Sequence, residues 1–379
     1  LINSQIKLKP ELFADELIKD TILTIQQLKK IQAKNGMEGC HRYVISNSED
    51  IYAVLFVFAL LRWGLQDETM PFDIVPLFES MNGMDKAASI MKTLFEIPVY
   101  RKHLSNRHNK QTIMLGFSDG TKDGGYLKAN WSIYKTKETL TALCLEYGIK
   151  PIFFDGRGGP PARGGGKTHR FYAAQGPEIA NHEIQLTIQG QTITSKYGTK
   201  EQFIHHYEQL LTAGLSNSFF DKEKAISAES KAMIEDLARI SNEKYLALKK
   251  HPMFLPYLEN KSTLKYYNQA NIGSRPAKRG SGKKLEFKDL RAIPFVGSWS
   301  QMRQNVPGFF GIGTALNEYV KQGKLEDLKK LFCQVPYFKA LILNSMMSLT
   351  KCNFALTSYI ARDPEYKEFW NLLHHEFNL

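Results

Sequence analysis

The 379-residue chain is 43% hydrophobic and 23% charged, the composition of a globular protein with ample material for a core, and no apolar run reaches the roughly 18 residues that span a bilayer. Cys40, Cys144, Cys333 and Cys352 stand far apart with no CxxC pair, which excludes a zinc ribbon or disulfide framework and fits a reducing cytoplasm. The net charge of +12 favours anionic partners, whether nucleic acid, acidic lipid or small phosphorylated and carboxylated molecules.

Along the chain, residues 11–34 place apolar side chains at helical spacing and stop at Asn35-Gly36. The short apolar run Tyr43 to Ile45 reads as extended. Ser46 and Glu49 form a capping-box pattern that opens an apolar helix running to about Gly64. Residues 72–78 predict a strand ending at Glu79, with a helix from about Asp85. A strand over 112–117 runs into a loop at Ser118-Asp119, then a helix over 126–147 and a strand over 151–154. Residues 184–188 and 192–196 read as further strands. Beyond Lys200 the pattern is helical over 201–213, 222–250 and from Asn317 onward, interrupted by a basic Gly-rich loop at 273–284 and an expected strand over 291–300. Strand, polar residue, then helix is the grammar of a β/α barrel or a doubly wound sheet.

Glu79 and Asp119 each follow an apolar strand, at the edge where β/α folds gather reactive side chains. Two carboxylates so placed suit a hard divalent cation, although either could equally cap a helix. The densest signal runs from Asp155 to Thr168, with Arg157, Arg163 and six glycines. Glycines let the backbone approach an anion, and arginines bind carboxylate or phosphate with two parallel hydrogen bonds. Gly166-Lys167-Thr168 resembles the end of a P-loop, but Pro161 stands where that pattern requires glycine. The loop over 273–284 concentrates five cations, Lys278 among them, and suits a mobile basic lid.

Four ordered blocks together resemble phosphoenolpyruvate carboxylase: Phe117-Ser-Asp-Gly-Thr-Lys-Asp-Gly-Gly, Gly156-Arg-Gly-Gly to Arg163-Gly-Gly-Gly, Gly273-Ser-Arg-Pro-Ala-Lys-Arg, and Leu290-Arg-Ala-Ile-Pro. Val75-Pro-Leu-Phe-Glu79 and Gly311-Ile-Gly-Thr-Ala-Leu316 extend the likeness, which runs from about Arg42 to Asn353. The resemblance implies an α/β, predominantly helical fold, a (β/α) TIM-type barrel of the phosphoenolpyruvate/pyruvate superfamily with many added helices. Residues 1–300 would carry the barrel portion and its sites, and 301–379 a helical region packed on it.

The implied activity is carboxylation of phosphoenolpyruvate with bicarbonate to oxaloacetate and phosphate, an anaplerotic step in the cytoplasm. Glu79 and Asp119 would bind Mg2+ or Mn2+. Arg157, Arg275, Arg291 and Gln189 would meet the substrate, with Lys122, Lys278 and Arg163 in the catalytic set. Arg163 and Lys351 would serve the aspartate or malate inhibitor. The resemblance also implies a homo-tetramer, with no membrane or nucleic-acid partner.

Asp155 stands where such enzymes carry His, and Pro160-Pro161-Ala162 departs from their usual loop. The family's catalytic His in a Thr-Ala-His-Pro context and its Asn-Thr-Gly terminus do not occur in the chain, which implies an internal fragment, inactive alone, whose missing N-terminal half is its partner. An alternative from another class is an RNA- or anion-binding module using the Gly/Arg loops. Neither basic loop interleaves the aromatic residues on which bases stack. A third is another enzyme of phosphoenolpyruvate or pyruvate chemistry on a β/α barrel, sharing the metal carboxylates but not all four motifs.

Overall fold

The computed structural model describes residues 4, 6–67, 69–219, 225–269 and 285–379. It separates into two compact units, one of Leu1–Leu115, Thr136–Asp155 and Ala180–Gln185, the other of Gly116–Lys135, Gly156–Ile179 and Leu186–Leu379.

The first unit is built on alternating helices and strands: α1 (Glu16–Asn35), β1 (Arg42–Ile45), α2 (Ile51–Leu65), β2 (Asp73–Phe78), α3 (Met81–Glu96), α4 (Pro98–Asn106) and β3 (Lys110–Gly116). After a short helix α5 (Phe117–Gly124), α6 (Tyr126–Glu146) leads into β4 (Lys150–Gly156), and β5 (Ile184–Leu186) follows a further helix, α7 (Thr168–Ala173). The five strands lie in the order β1-β2-β3-β4-β5. β1 pairs parallel to β2 with Arg42 opposite Asp73, and β2 pairs parallel to β3 with Phe78 opposite Leu115. Ile74, Val75, Phe78, Ile113, Leu115, Ile152 and Phe153 are buried, as strands covered on both faces require.

The second unit is helical. To α5 and α7 it adds α8 (Gln191–Tyr197), α9 (Lys200–Phe219), α10 (Ala228–Lys250), α11 (Phe254–Lys261), α12 (Ala292–Gln301), α13 (Ile312–Lys321), α14 (Leu325–Gln334), α15 (Pro336–Thr350) and α16 (Lys367–Asn378). An aromatic cluster that includes Tyr257, Phe295, Trp299, Phe354 and Phe369 fills its core.

The α/β character and most elements match the expectation from sequence. The closed barrel does not: among the described residues the sheet is open, with β1 and β5 at its edges. Four local expectations are also corrected. Glu49 caps nothing in α2; its carboxylate accepts from Ser80 and Asn82, and Asp50 caps the helix by accepting from the Ala53 amide at 3.1 Å. Residues 118–124 form α5 rather than a loop, because Gly116 leaves β3 extended and the turn winds at once. Residues 192–196 form α8 rather than a strand: turn bonds from the Thr192 and Ile193 amides to Gln189 and Gly190 start a helix despite the β-branched run. Residues 292–301 form α12, where a continuous apolar run could not distinguish a buried helix from a strand.

Candidate active site

The Gly-rich segment leaves β4 and folds back on itself. The Gly158 amide donates to the Arg163 carbonyl at 2.6 Å, and the Arg163 and Gly165 amides each donate to the Pro160 carbonyl at 2.9 Å. Two glycines are demanded by this geometry. Gly164 sits at φ +79 with the Phe117 ring against its α-carbon, and a side chain at Gly165 would run into the Gly159 carbonyl.

This fold sinks Arg157 to 3% exposure. Its Nε donates to the Gly164 carbonyl at 2.5 Å, and its guanidinium carbon lies 4.1 Å from the centre of the Phe171 ring. The Nη1 amino group has no hydrogen-bond partner among the described residues. A buried cation with an open donor is costly unless an anion completes it.

Arg163, half-buried, donates through Nη2 to the Gln189 side-chain oxygen at 2.5 Å and through Nε to Ser118 Oγ at 3.2 Å. Burial lowers the Arg163 pKa from its ordinary value, and the nearby Asp119 charge offsets part of that shift. Asp119 lies in the first turn of α5, where the helix dipole favours a carboxylate, with Lys122 Nζ 3.2 Å from its Oδ1. Lys122 is buried and donates to the Leu290 carbonyl at 2.9 Å, one residue before Arg291, which opens α12. The second unit therefore brings together Asp119, Lys122, Arg157, Arg163 and Gln189, with Arg291 beside Lys122's anchor.

The other expected residues fall elsewhere. Glu79 belongs to the first unit, directly after β2. Lys351 is exposed at the end of α15 and lines a cavity of about 300 Å³ with Pro160, Pro161, Arg303, Asn305 and Ser348. Arg275, Lys278 and the rest of the expected basic lid lie outside the described residues. No group of three or more metal-ligating His, Cys, Asp or Glu side chains occurs among the described residues, and none of their helices is long and apolar enough to cross a membrane.

Sequence reading missed three supports of the loop. Thr187 Oγ1 donates to the Arg157 carbonyl at 2.7 Å, Lys196 Nζ donates to the Gly166 carbonyl at 2.9 Å, and Phe171 stacks beneath Arg157. Lys196 sits on α8, and only a helical reading of that segment could have aimed it. Burial, then the charges of Arg157 and Lys351, push the Lys196 ammonium below its ordinary pKa. Asp155 is fully buried; Lys137 Nζ donates to its Oδ2 at 2.9 Å and lies 2.9 Å from Oδ1.

The family model described as phosphoenolpyruvate carboxylase matches residues 2–379. The chain belongs to the phosphoenolpyruvate carboxylase family. It is 35% identical over 357 residues to the phosphoenolpyruvate carboxylase of Corynebacterium diphtheriae, covering 91% of this chain and 39% of that protein. The enzymes of the same name from Nitrosomonas eutropha and Trichormus variabilis are each 32% identical, over 93% and 94% of this chain. The chain thus spans 38–39% of the length of these relatives. The RNA-binding alternative gains no support, since Arg157 is buried against Phe171 rather than presented to a strand of nucleic acid.

Proposed function

We propose that this chain carries the anion-handling part of a phosphoenolpyruvate carboxylase, which joins bicarbonate to phosphoenolpyruvate and yields oxaloacetate and phosphate. The observation that carries this reading is the buried Arg157, whose Nη1 lacks a partner among the described residues of a chain belonging to this family. Bicarbonate attacks the phosphorus, giving carboxyphosphate and the pyruvate enolate; carboxyphosphate releases carbon dioxide, which the enolate captures. Charge gathers on phosphoryl and enolate oxygens, where preorganised cations act most strongly out of water. Arg157 and Arg291 hold these oxygens, Lys122 and Arg163 keep the surrounding field positive, and Gln189 orients Arg163. Arg275 and Lys278 complete the set on sequence grounds alone.

Asp119, from the first turn of α5, and Glu79, directly after β2, would supply the hard oxygen donors that Mg2+ or Mn2+ prefers. When bound, the cation adds positive charge at the developing enolate oxygen. Lys351 and Arg163 are assigned to inhibitor binding, and a homo-tetramer in the cytoplasm follows from the same family reading. The sequential strand order, with no reversal, suits a β/α barrel completed by chain beyond these residues.

The test is bicarbonate-dependent oxaloacetate formation by the protein at full length, coupled to malate dehydrogenase, for wild type and Asp119→Asn. Activity that requires Mg2+ or Mn2+ and falls by about 10²-fold or more in the variant supports both reaction and ligand. Activity unchanged by the substitution removes Asp119 from the metal site. No oxaloacetate from a folded wild type overturns the functional reading.

A further inference from the structure

The exit of β4 carries an ion pair that the reaction does not use. Asp155 is 0% and Lys137 1% exposed, and Lys137 Nζ lies 2.9 Å from both carboxylate oxygens. The same ammonium sits 5.3 Å from the centre of the Phe153 ring. Phe153 and Asp155 are two residues apart on β4, so they share one face of the strand. Lys137, from the middle of α6, grips that face at two consecutive positions. A pair of apolar side chains would fill the same space without the cost of desolvating two charges. What the charged pair adds is direction: the ammonium has to meet the carboxylate at one register of strand against helix.

That register matters for what comes next in the chain. Asp155 is the last side chain of β4 before Gly156, and Arg157 follows immediately at the start of the folded-back loop. We infer that Lys137 and Asp155 are positioning residues, which fix the end of β4 and through it the take-off of Arg157 and the Gly-rich loop. Asp155 accordingly touches no substrate; its carboxylate is sealed against Lys137. This assignment deepens the functional reading and rests on it for its kinetic readout only.

The test uses the protein at full length with Lys137→Arg, which keeps the charge but changes the length and shape of the grip, and the double variant Lys137→Met/Asp155→Leu, which removes both charges. Each is followed by thermal unfolding, by hydrogen exchange of the amides over 156–166, and by KM and kcat for phosphoenolpyruvate. The expected result is that both variants stay folded, that loop amides exchange about tenfold faster or more, and that kcat/KM falls by about 10- to 100-fold, mainly through KM. A double variant that recovers wild-type exchange and wild-type KM would overturn the proposal and leave the pair a purely structural bond. Should the wild type form no oxaloacetate, the functional reading fails, while loop exchange still decides the positioning role: faster exchange sustains it and unchanged exchange removes it.

Discussion

Two buried cations, one in each unit, are handled in opposite ways. Lys137 meets a full carboxylate, with its charge neutralised and its geometry closed. Arg157 is nearly as buried, yet it spends Nε on a backbone carbonyl, stacks on Phe171, and keeps Nη1 open among the described residues. Structural charge in a protein interior is saturated by the protein itself. Charge meant for a ligand has to be left short of a partner, and its cost is carried by the surrounding fold.

The sharpest way to break this contrast is to make the same substitution at both sites. Lys137→Met leaves Asp155 as an uncompensated buried carboxylate and should cost about 3–5 kcal/mol of stability, read as a lowered urea midpoint. Arg157→Met loses one hydrogen bond, while the Met thioether can still pack on Phe117, Phe171 and Tyr172. Its stability should change by no more than about 1.5 kcal/mol. Its activity should fall by about 10²–10³-fold, if the open amino group serves a reacting oxygen. A large loss of stability at Arg157 with activity spared would reverse the two roles.

Much of this contrast could be read in the sequence, and the unread part has a physical reason. Apolar strands ending in Glu79 and at Ser118-Asp119 announced β2 and β3, and the glycines between Arg157 and Gly166 announced a backbone folded tightly upon itself. Local pattern failed where tertiary contacts decide. Thr192-Ile193-Thr194 favours a strand, but the turn at Gly190 winds it into α8 and so aims Lys196 at the loop. Residues 292–301 are apolar on every face because the aromatic core surrounds α12, which erases periodicity. The partnership of Lys137 with Asp155, 18 residues apart, has no sequence signal, since neither a helical nor a strand period links a helix to the strand that follows it. Closure of the sheet was likewise beyond local pattern, because it depends on how many strands a chain supplies.

A buried titratable group offers a milder test of saturated interiors. His103, on α4, is 5% exposed between the Phe58 and Tyr100 rings, and burial, aided by the Arg107 charge, lowers its pKa from 6.5 to about 4. The nearby Asp73 charge opposes the shift without cancelling it. The folded state therefore refuses a proton that the unfolded chain accepts. Stability is full above pH 6.5, declines as the pH falls from 6.5 to 4, and levels off below. A lowering of this size corresponds to about 3 kcal/mol. Urea midpoints measured across that window should slope in the wild type and flatten in His103→Leu; equal slopes in both would assign the acid sensitivity to other groups.

The smallest effect belongs to an ion pair that resembles Lys137–Asp155 in distance alone. Lys110 Nζ lies 2.8 Å from Glu183 Oε2, but the two side chains are 43% and 44% exposed. Water and salt screen the attraction, and holding two long side chains in one geometry costs rotamer freedom. Glu183→Gln should therefore shift stability by less than about 1 kcal/mol, and the shift should shrink further in high salt. The buried pair should hardly respond to salt, because ions do not reach it. Measuring both substitutions at low and high ionic strength separates the cases: burial, not separation, decides which ion pair the fold depends on. A Glu183→Gln penalty comparable to that of Lys137→Met, and equally deaf to salt, would show that distance alone had been the better guide.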